Sequence, residues 1–162
     1  MEFSTKLFIV LVIAASATAT SIGLSAPRIF SQESKGVVTN ITRCGGYGTP
    51  IQLRITECEG RCSFTPGRVY NIEYDMIPSS ASTSLSLACD LVFNGTPLRL
   101  FEAEIANSSV QPGLMYTVKF SIVPNDILSG QTVKLRAIIY HTDNRLLEIC
   151  VETECDILDL PL

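Results

Sequence analysis

From residue 51 onward, apolar and polar residues alternate with period two in run after run. Ile51, Leu53 and Ile55 alternate with Gln52, Arg54 and Thr56, and Leu85, Leu87, Cys89, Leu91 and Phe93 with Ser84, Ser86, Ala88 and Asp90. Val133, Leu135, Ala137 and Ile139 do the same against Lys134 and Arg136. This period is that of a β-strand with one face buried. Two stretches are near copies of each other, Pro66 to Pro78 and Pro112 to Pro124. Each opens on a Pro-Gly turn and ends on a proline, which has no N–H to give a ladder. Their apolar faces carry Tyr70, Ile72, Tyr74 and Met76 in one copy and Tyr116, Val118, Phe120 and Ile122 in the other. Asn94-Gly95 after Phe93 is a strong hairpin signal and returns the chain through Leu98 and Leu100. Residues 102–111 read as loop. Thr142-Asp143-Asn144 turns the chain into a last strand from Leu146 to about Thr153.

Seven short strands separated by turns, with no amphipathic helix, predict an all-β chain. The expected architecture is an immunoglobulin-like antiparallel β-sandwich, although the chain lacks the buried tryptophan of true immunoglobulin domains. The first residues predict a secretory signal peptide. Lys6 precedes nine apolar or small residues, Leu7 to Ala15, and Ala17-Thr18-Ala19 supplies the small cleavage residues. That run is too short to span a bilayer, and no later stretch approaches a membrane helix. The expected division is a signal peptide over residues 1–19 (or to 26, after Ser25-Ala26), a loose leader over 20–42, one domain over 43–157 and a tail over 158–162. Secretion makes disulfides the natural reading of six cysteines, Cys44, Cys58, Cys62, Cys89, Cys150 and Cys155. The spacings Cys58 to Cys62 and Cys150 to Cys155 also suit halves of a zinc site, but no further ligand-rich segment supports one. Asn40, Asn94 and Asn107 each begin a glycosylation sequon, Asn94 in a tight turn before Pro97.

A net charge of −4 with no Lys/Arg cluster argues against a nucleic-acid partner. Catalytic chemistry finds no support either. His141 is the only histidine and sits at a strand end, where a solvated rim residue is expected. There is no nucleophile-elbow sequence, no phosphate-cradling glycine loop and no second histidine for a hydrolytic metal. The acidic residues read as solvated surface on polar strand faces. No catalytic residue, metal or cofactor is therefore expected. The hydrophobic fraction is 46%. A domain of this size can build a core unaided, so the cysteines raise the idea of a hollow interior. An empty pocket of roughly 300 Å³ would cost on the order of 7 kcal/mol, which two or three disulfides at about 2–4 kcal/mol each would offset.

The ordered set of features resembles the lipid-recognition family named after MD-2, the ML domain. The residues that carry it are Cys44-Gly45, the Cys58–Cys62 loop, Pro66-Gly67-x-x-Tyr70-x-Ile72-x-Tyr74, Asn94-Gly95, Gly113-x-x-Tyr116-x-Val118-x-Phe120-x-Ile122-x-Pro124, Val133-x-Leu135, Asp143-Asn144 and Cys150. The resemblance implies Cys44–Cys150 and Cys58–Cys62 disulfides, and two splayed sheets with an apolar cavity between them. It implies carriage of a sterol, fatty acid or other single lipid, with no covalent chemistry. The chain departs from the family by lacking a cysteine before the second copy, where Ala106 to Pro112 stands, and by adding Cys89 and Cys155, either bridged or free. Tyr70, Ile72, Tyr74, Leu87, Leu91, Tyr116, Val118, Phe120, Leu135, Ile139, Ile149 and Val151 are the expected lipid-binding residues. The expected setting is a secreted monomer, with the lysosomal lumen as the alternative, working with or without a membrane receptor or lipid-transfer partner. The competing readings are a lipid-sensing accessory in innate immune recognition of microbial lipids and a plain extracellular adhesion sandwich.

Overall fold

The computed structural model describes residues 35–159, so the expected signal peptide and most of the leader lie outside the described residues. Ten strands follow in order: β1 (Lys35–Val37), β2 (Ile41–Gly45), β3 (Thr49–Thr56), β4 (Cys62–Phe64), β5 (Tyr70–Ile77), β6 (Leu85–Phe93), β7 (Thr96–Glu104), β8 (Tyr116–Ile122), β9 (Thr132–His141) and β10 (Leu147–Ile157). One sheet has the order β1-β3-β5-β8. The other runs β2-β10-β9-β6-β7, with β4 added parallel to β10. All other pairings are antiparallel.

The alternation explains the layers. The two near copies become β5 and β8 and pair with each other, with Tyr70 opposite Ile122, Tyr74 opposite Val118 and Met76 opposite Tyr116. Their apolar faces therefore fuse into one wall. The facing wall comes from Leu87 and Leu91 of β6, Leu135 and Ile139 of β9, and Ile149 and Val151 of β10, which share register positions. Asn94 (φ 50°) and Gly95 (φ 78°) both take left-handed backbone, as the tight β6–β7 hairpin requires.

Three strands beyond the seven expected are β1, β2 and β4, each of five residues or fewer. So short a segment shows too little alternation to stand out in a sequence. Residues 35–42, read as leader, place β1 on the edge of the first sheet and start β2 on the edge of the second. Residues 102–104, read as loop, are the end of β7.

Cys44 of β2 is bonded to Cys150 of β10, and Cys58 to Cys62 where the chain crosses from β3 to β4. Cys89 and Cys155 are free and buried. The bridge considered between them is not formed. Cys89 stands level with Ala137 and Cys155 with Val133, so they occupy different rungs of the sheet.

The Cys44–Cys150 bond closes a loop of 106 residues. Replacing both cysteines by alanine is expected to cost about 2–5 kcal/mol, measured as a lower urea midpoint. An unchanged midpoint would contradict this.

Candidate functional site

The interior between the sheets is the candidate site. Nine of the twelve expected lining residues belong to one buried apolar cluster, and Leu91, Tyr116 and Phe120 are half-buried against it. The structure thus brings all twelve together. Leu53 and Ile55 of β3, Phe64 of β4, Met76, Val133 and Ile157 join them. The layers run nearest each other along β3 and β10. At the N-terminal end of β5, Phe64 meets Tyr70 across the layers with ring centroids 4.6 Å apart.

The opposite side is different. β7 and β8 are the edge strands here, as β1 and β2 are at the other side. Phe101 of β7 meets Phe120 of β8 edge to face, with centroids 6.0 Å apart. Leu98 is 62% exposed and Leu100 39% exposed on the same strand. Phe101 was not among the expected residues, and the register explains why. Cys89 pairs with Phe101 but the next residue, Asp90, pairs with Arg99, so Leu100 is an extra residue in a bulge. A bulge reverses the side on which every later residue points. Simple alternation from Leu98 would have put Phe101 outside.

Three tyrosines face inward from β5 and β8. Tyr70 Oη accepts the Thr65 N–H at 2.7 Å, and Tyr116 Oη accepts the Gln111 N–H at 2.9 Å. Tyr74 is 1% exposed and its hydroxyl has no hydrogen-bond partner. Burial pushes its pKa up to about 12, against the weaker opposing effect of Arg43. The only other buried side-chain oxygen or nitrogen without a partner among the described residues is Ser129 Oγ, after the short 3-10 turn Asp126–Leu128. The two free thiols are also held neutral, Cys89 and Cys155 each being pushed up to about 12 mainly by burial. Neutral buried thiols are poor nucleophiles.

The expectation that His141 is a solvated rim residue is corrected. It is 2% exposed, and its Nε2 lies 2.7 Å from Oε1 of Glu148, which is fully buried. Glu148 also accepts the Ser79 N–H at 2.8 Å and the Ser79 hydroxyl at 3.0 Å. This cluster ties the β5–β6 crossing to the β9–β10 hairpin. It requires Gly46, because a Cβ there would collide with the Glu148 carbonyl. Sequence alternation missed the pair because both residues flank the turn, where β9 and β10 lose their regular register. The reading of the acidic residues as solvated is corrected for Asp75 and Asp90 as well. Asp75 is buried on Arg54 (3.0 Å) and the Thr117 hydroxyl (2.7 Å), and Asp90 is buried on Arg99.

Among the described residues no group of three or more His, Cys, Asp or Glu is placed to hold a metal ion, and no helix is long and apolar enough to cross a membrane. A surface depression of about 680 Å³ is lined by Thr83, Ser84 and residues 104–109, and one of about 290 Å³ by residues 40–42, Lys134 and residues 152–154. Neither reaches between the sheets. Of the sequon asparagines, Asn94 and Asn107 are exposed, whereas Asn40 donates to the Glu154 carbonyl at 3.1 Å and accepts from the Thr153 hydroxyl at 2.8 Å.

With two antiparallel layers and a common apolar interior, the chain is a two-sheet β-sandwich of the kind the family resemblance implies. A Niemann-Pick type C2 protein from Japanese carpenter ant has the same fold, with a TM-score of 0.63 and 13% identity over 72% of this chain and 98% of that one. The C-terminal domain of wzt matches with a TM-score of 0.55 and 14% identity, over 79% of this chain and 84% of that one. Chicken MD-1 complexed with lipid IVa aligns at a TM-score of 0.38 and 14% identity, over 76% and 97%. No family model matches the sequence. No curated protein matches it either.

Several carboxylates are more acidic in the fold than in a free chain. Lys35 and Lys119 bring Glu73 down to about 2, and Arg61 with the Thr132 hydroxyl brings Asp156 to about 2. Burial opposes the shift at Glu148, but the bonds from Ser79 and His141 outweigh it and hold the carboxyl low. Groups with lowered values stabilise the fold above their ordinary range, 3.8 to 4.5, and that contribution is lost as pH falls through the folded values. The thermal midpoint is therefore expected to drop between about pH 4.5 and pH 2. A level midpoint through that window would contradict these pairings.

Proposed function

We propose that this protein binds one lipid molecule between its two sheets and carries it through water as a secreted carrier, without catalysing a reaction on it. A sterol or a fatty acyl lipid is the ligand class. The observation that carries the reading is the β7–β8 side of the sandwich. There an apolar interior is bounded by two strand edges that share no hydrogen bonds, one aromatic contact spans them, and exposed leucines stand beside it. The fold shared with a Niemann-Pick type C2 protein supports the reading.

Lipid entry requires the Phe101–Phe120 contact to part and the sheets to separate along β7 and β8. Parting the rings forfeits about 0.5–1.5 kcal/mol of aromatic pairing, together with some apolar burial. A ligand that hides roughly 300 Å² of apolar surface regains on the order of 7 kcal/mol. The exchange favours the filled state, with the lining residues moving aside while the closed side stays joined through β3, β4 and the Cys58–Cys62 crossing.

Organic extraction of the secreted protein, followed by mass spectrometry, is expected to release about one lipid per chain. Phe120→Ala is expected to weaken binding of a fluorescent sterol roughly tenfold, about 1.4 kcal/mol, with secretion maintained. Absence of any lipid from the extract, together with failure of sterols and fatty acids to bind, would leave only an adhesion module. Equal loss of binding and secretion would make Phe120 a packing residue alone.

A further inference from the structure

The geometry points to Tyr74 as an internal polar anchor, so that the preferred ligand carries a neutral hydroxyl or carbonyl oxygen on the end that enters first. The inference rests on the lipid-carrier reading and adds the ligand's chemistry to it. Three observations support it.

First, the Tyr74 hydroxyl is an exception among equivalents. Tyr70 and Tyr116 stand on the same wall, and each hydroxyl meets a backbone N–H. Tyr74 stands between them on the paired strands, opposite Leu53 on one side and Val118 on the other. It is as buried as Tyr70, at 1% exposure, and its hydroxyl meets nothing. A buried hydroxyl without a partner is destabilising, and phenylalanine would fill the same space without that cost. An unpaired hydroxyl in an apolar interior is explained if a group absent from the free protein completes it.

Second, its place matches the leading end of a ligand. The mouth lies at β7 and β8, and β5 is the next strand inward from β8. Tyr74 therefore stands one strand in from the mouth, between β8 and β3. A sterol entering tail first would leave its ring hydroxyl at the mouth and bring the end of its side chain towards Tyr74.

Third, the surroundings select a neutral oxygen. The cross-strand neighbours of Tyr74, Leu53 and Val118, are apolar. The Arg43 guanidinium is committed to the carbonyls of Gly46 and Gly48, on an exposed side chain. A carboxylate carried into that interior would be unpaired and strongly disfavoured. A hydroxyl or carbonyl needs only the one bond that Tyr74 offers, as donor or acceptor.

The test compares two probes that differ at one atom, cholesterol and cholesterol hydroxylated near the end of its side chain. A second pair, a long-chain fatty acid and its terminally hydroxylated form, covers the acyl class. Affinities are measured for wild type and for Tyr74→Phe. Wild type is expected to prefer the hydroxylated member of the pair it binds by at least about threefold. Tyr74→Phe is expected to lose that preference and to unfold at no lower temperature than wild type. If wild type binds both members alike, the hydroxyl serves only a trapped water and the inference is overturned. A preference that survives Tyr74→Phe overturns it too. If no member of either pair binds wild type, the carrier reading itself fails. Should the variant not be secreted, the wild-type preference alone decides.

Discussion

A β-sandwich without backbone pairing between its sheets is held together only by its side chains and by the places where the chain crosses over. In this protein those ties are unequally distributed. β3 and β10 run close together, β4 leaves the first sheet to join the second, and a disulfide closes that crossing. β7 and β8 have no such tie, and Phe101 against Phe120 is the ring contact that joins them. One side of the sandwich is therefore tied by chain crossings and the other by side-chain contact. The proposed function depends on that asymmetry, because a sandwich tied by chain crossings on both sides could not part its sheets to admit a ligand.

The polar residues reinforce the same division. The His141–Glu148–Ser79 cluster fixes the β5–β6 crossing to the β9–β10 hairpin and keeps a buried charge fully bonded. Asp75 and Asp90 are buried on arginines at the outer faces of their sheets. Buried charge is thus paired, and the apolar cluster includes two neutral thiols and one tyrosine hydroxyl without a partner. An interior of this kind suits an apolar guest with one polar atom better than it suits a metal or an ionised substrate.

Much of this was legible in the sequence because period-two alternation carries both strand identity and inward face. The near copies at Pro66 and Pro112 gave the β5–β8 wall, and all twelve expected lining residues do gather at the core. What alternation could not supply were features that depend on a register break or on a distant partner. The extra residue at Leu100 turned Phe101 inward and so hid half of the mouth. His141 and Glu148 are seven residues apart and flank a turn, so nothing local marks them as a pair. β1, β2 and β4 are strands only because a longer neighbour offers them an edge. Tyr74 looked identical to Tyr70 and Tyr116, and only the tertiary structure separates the bonded hydroxyls from the free one.

The opening between β7 and β8 can be addressed directly. Phe101 and Phe120 replaced together by cysteine and joined with a short bis-maleimide would lock the two edges at their present separation. The account predicts that the joined protein takes up no lipid, whereas the same variant before joining binds a fluorescent sterol. Uptake at an undiminished rate by the joined protein would contradict it, since the lipid would then have to enter elsewhere or remain outside the sandwich.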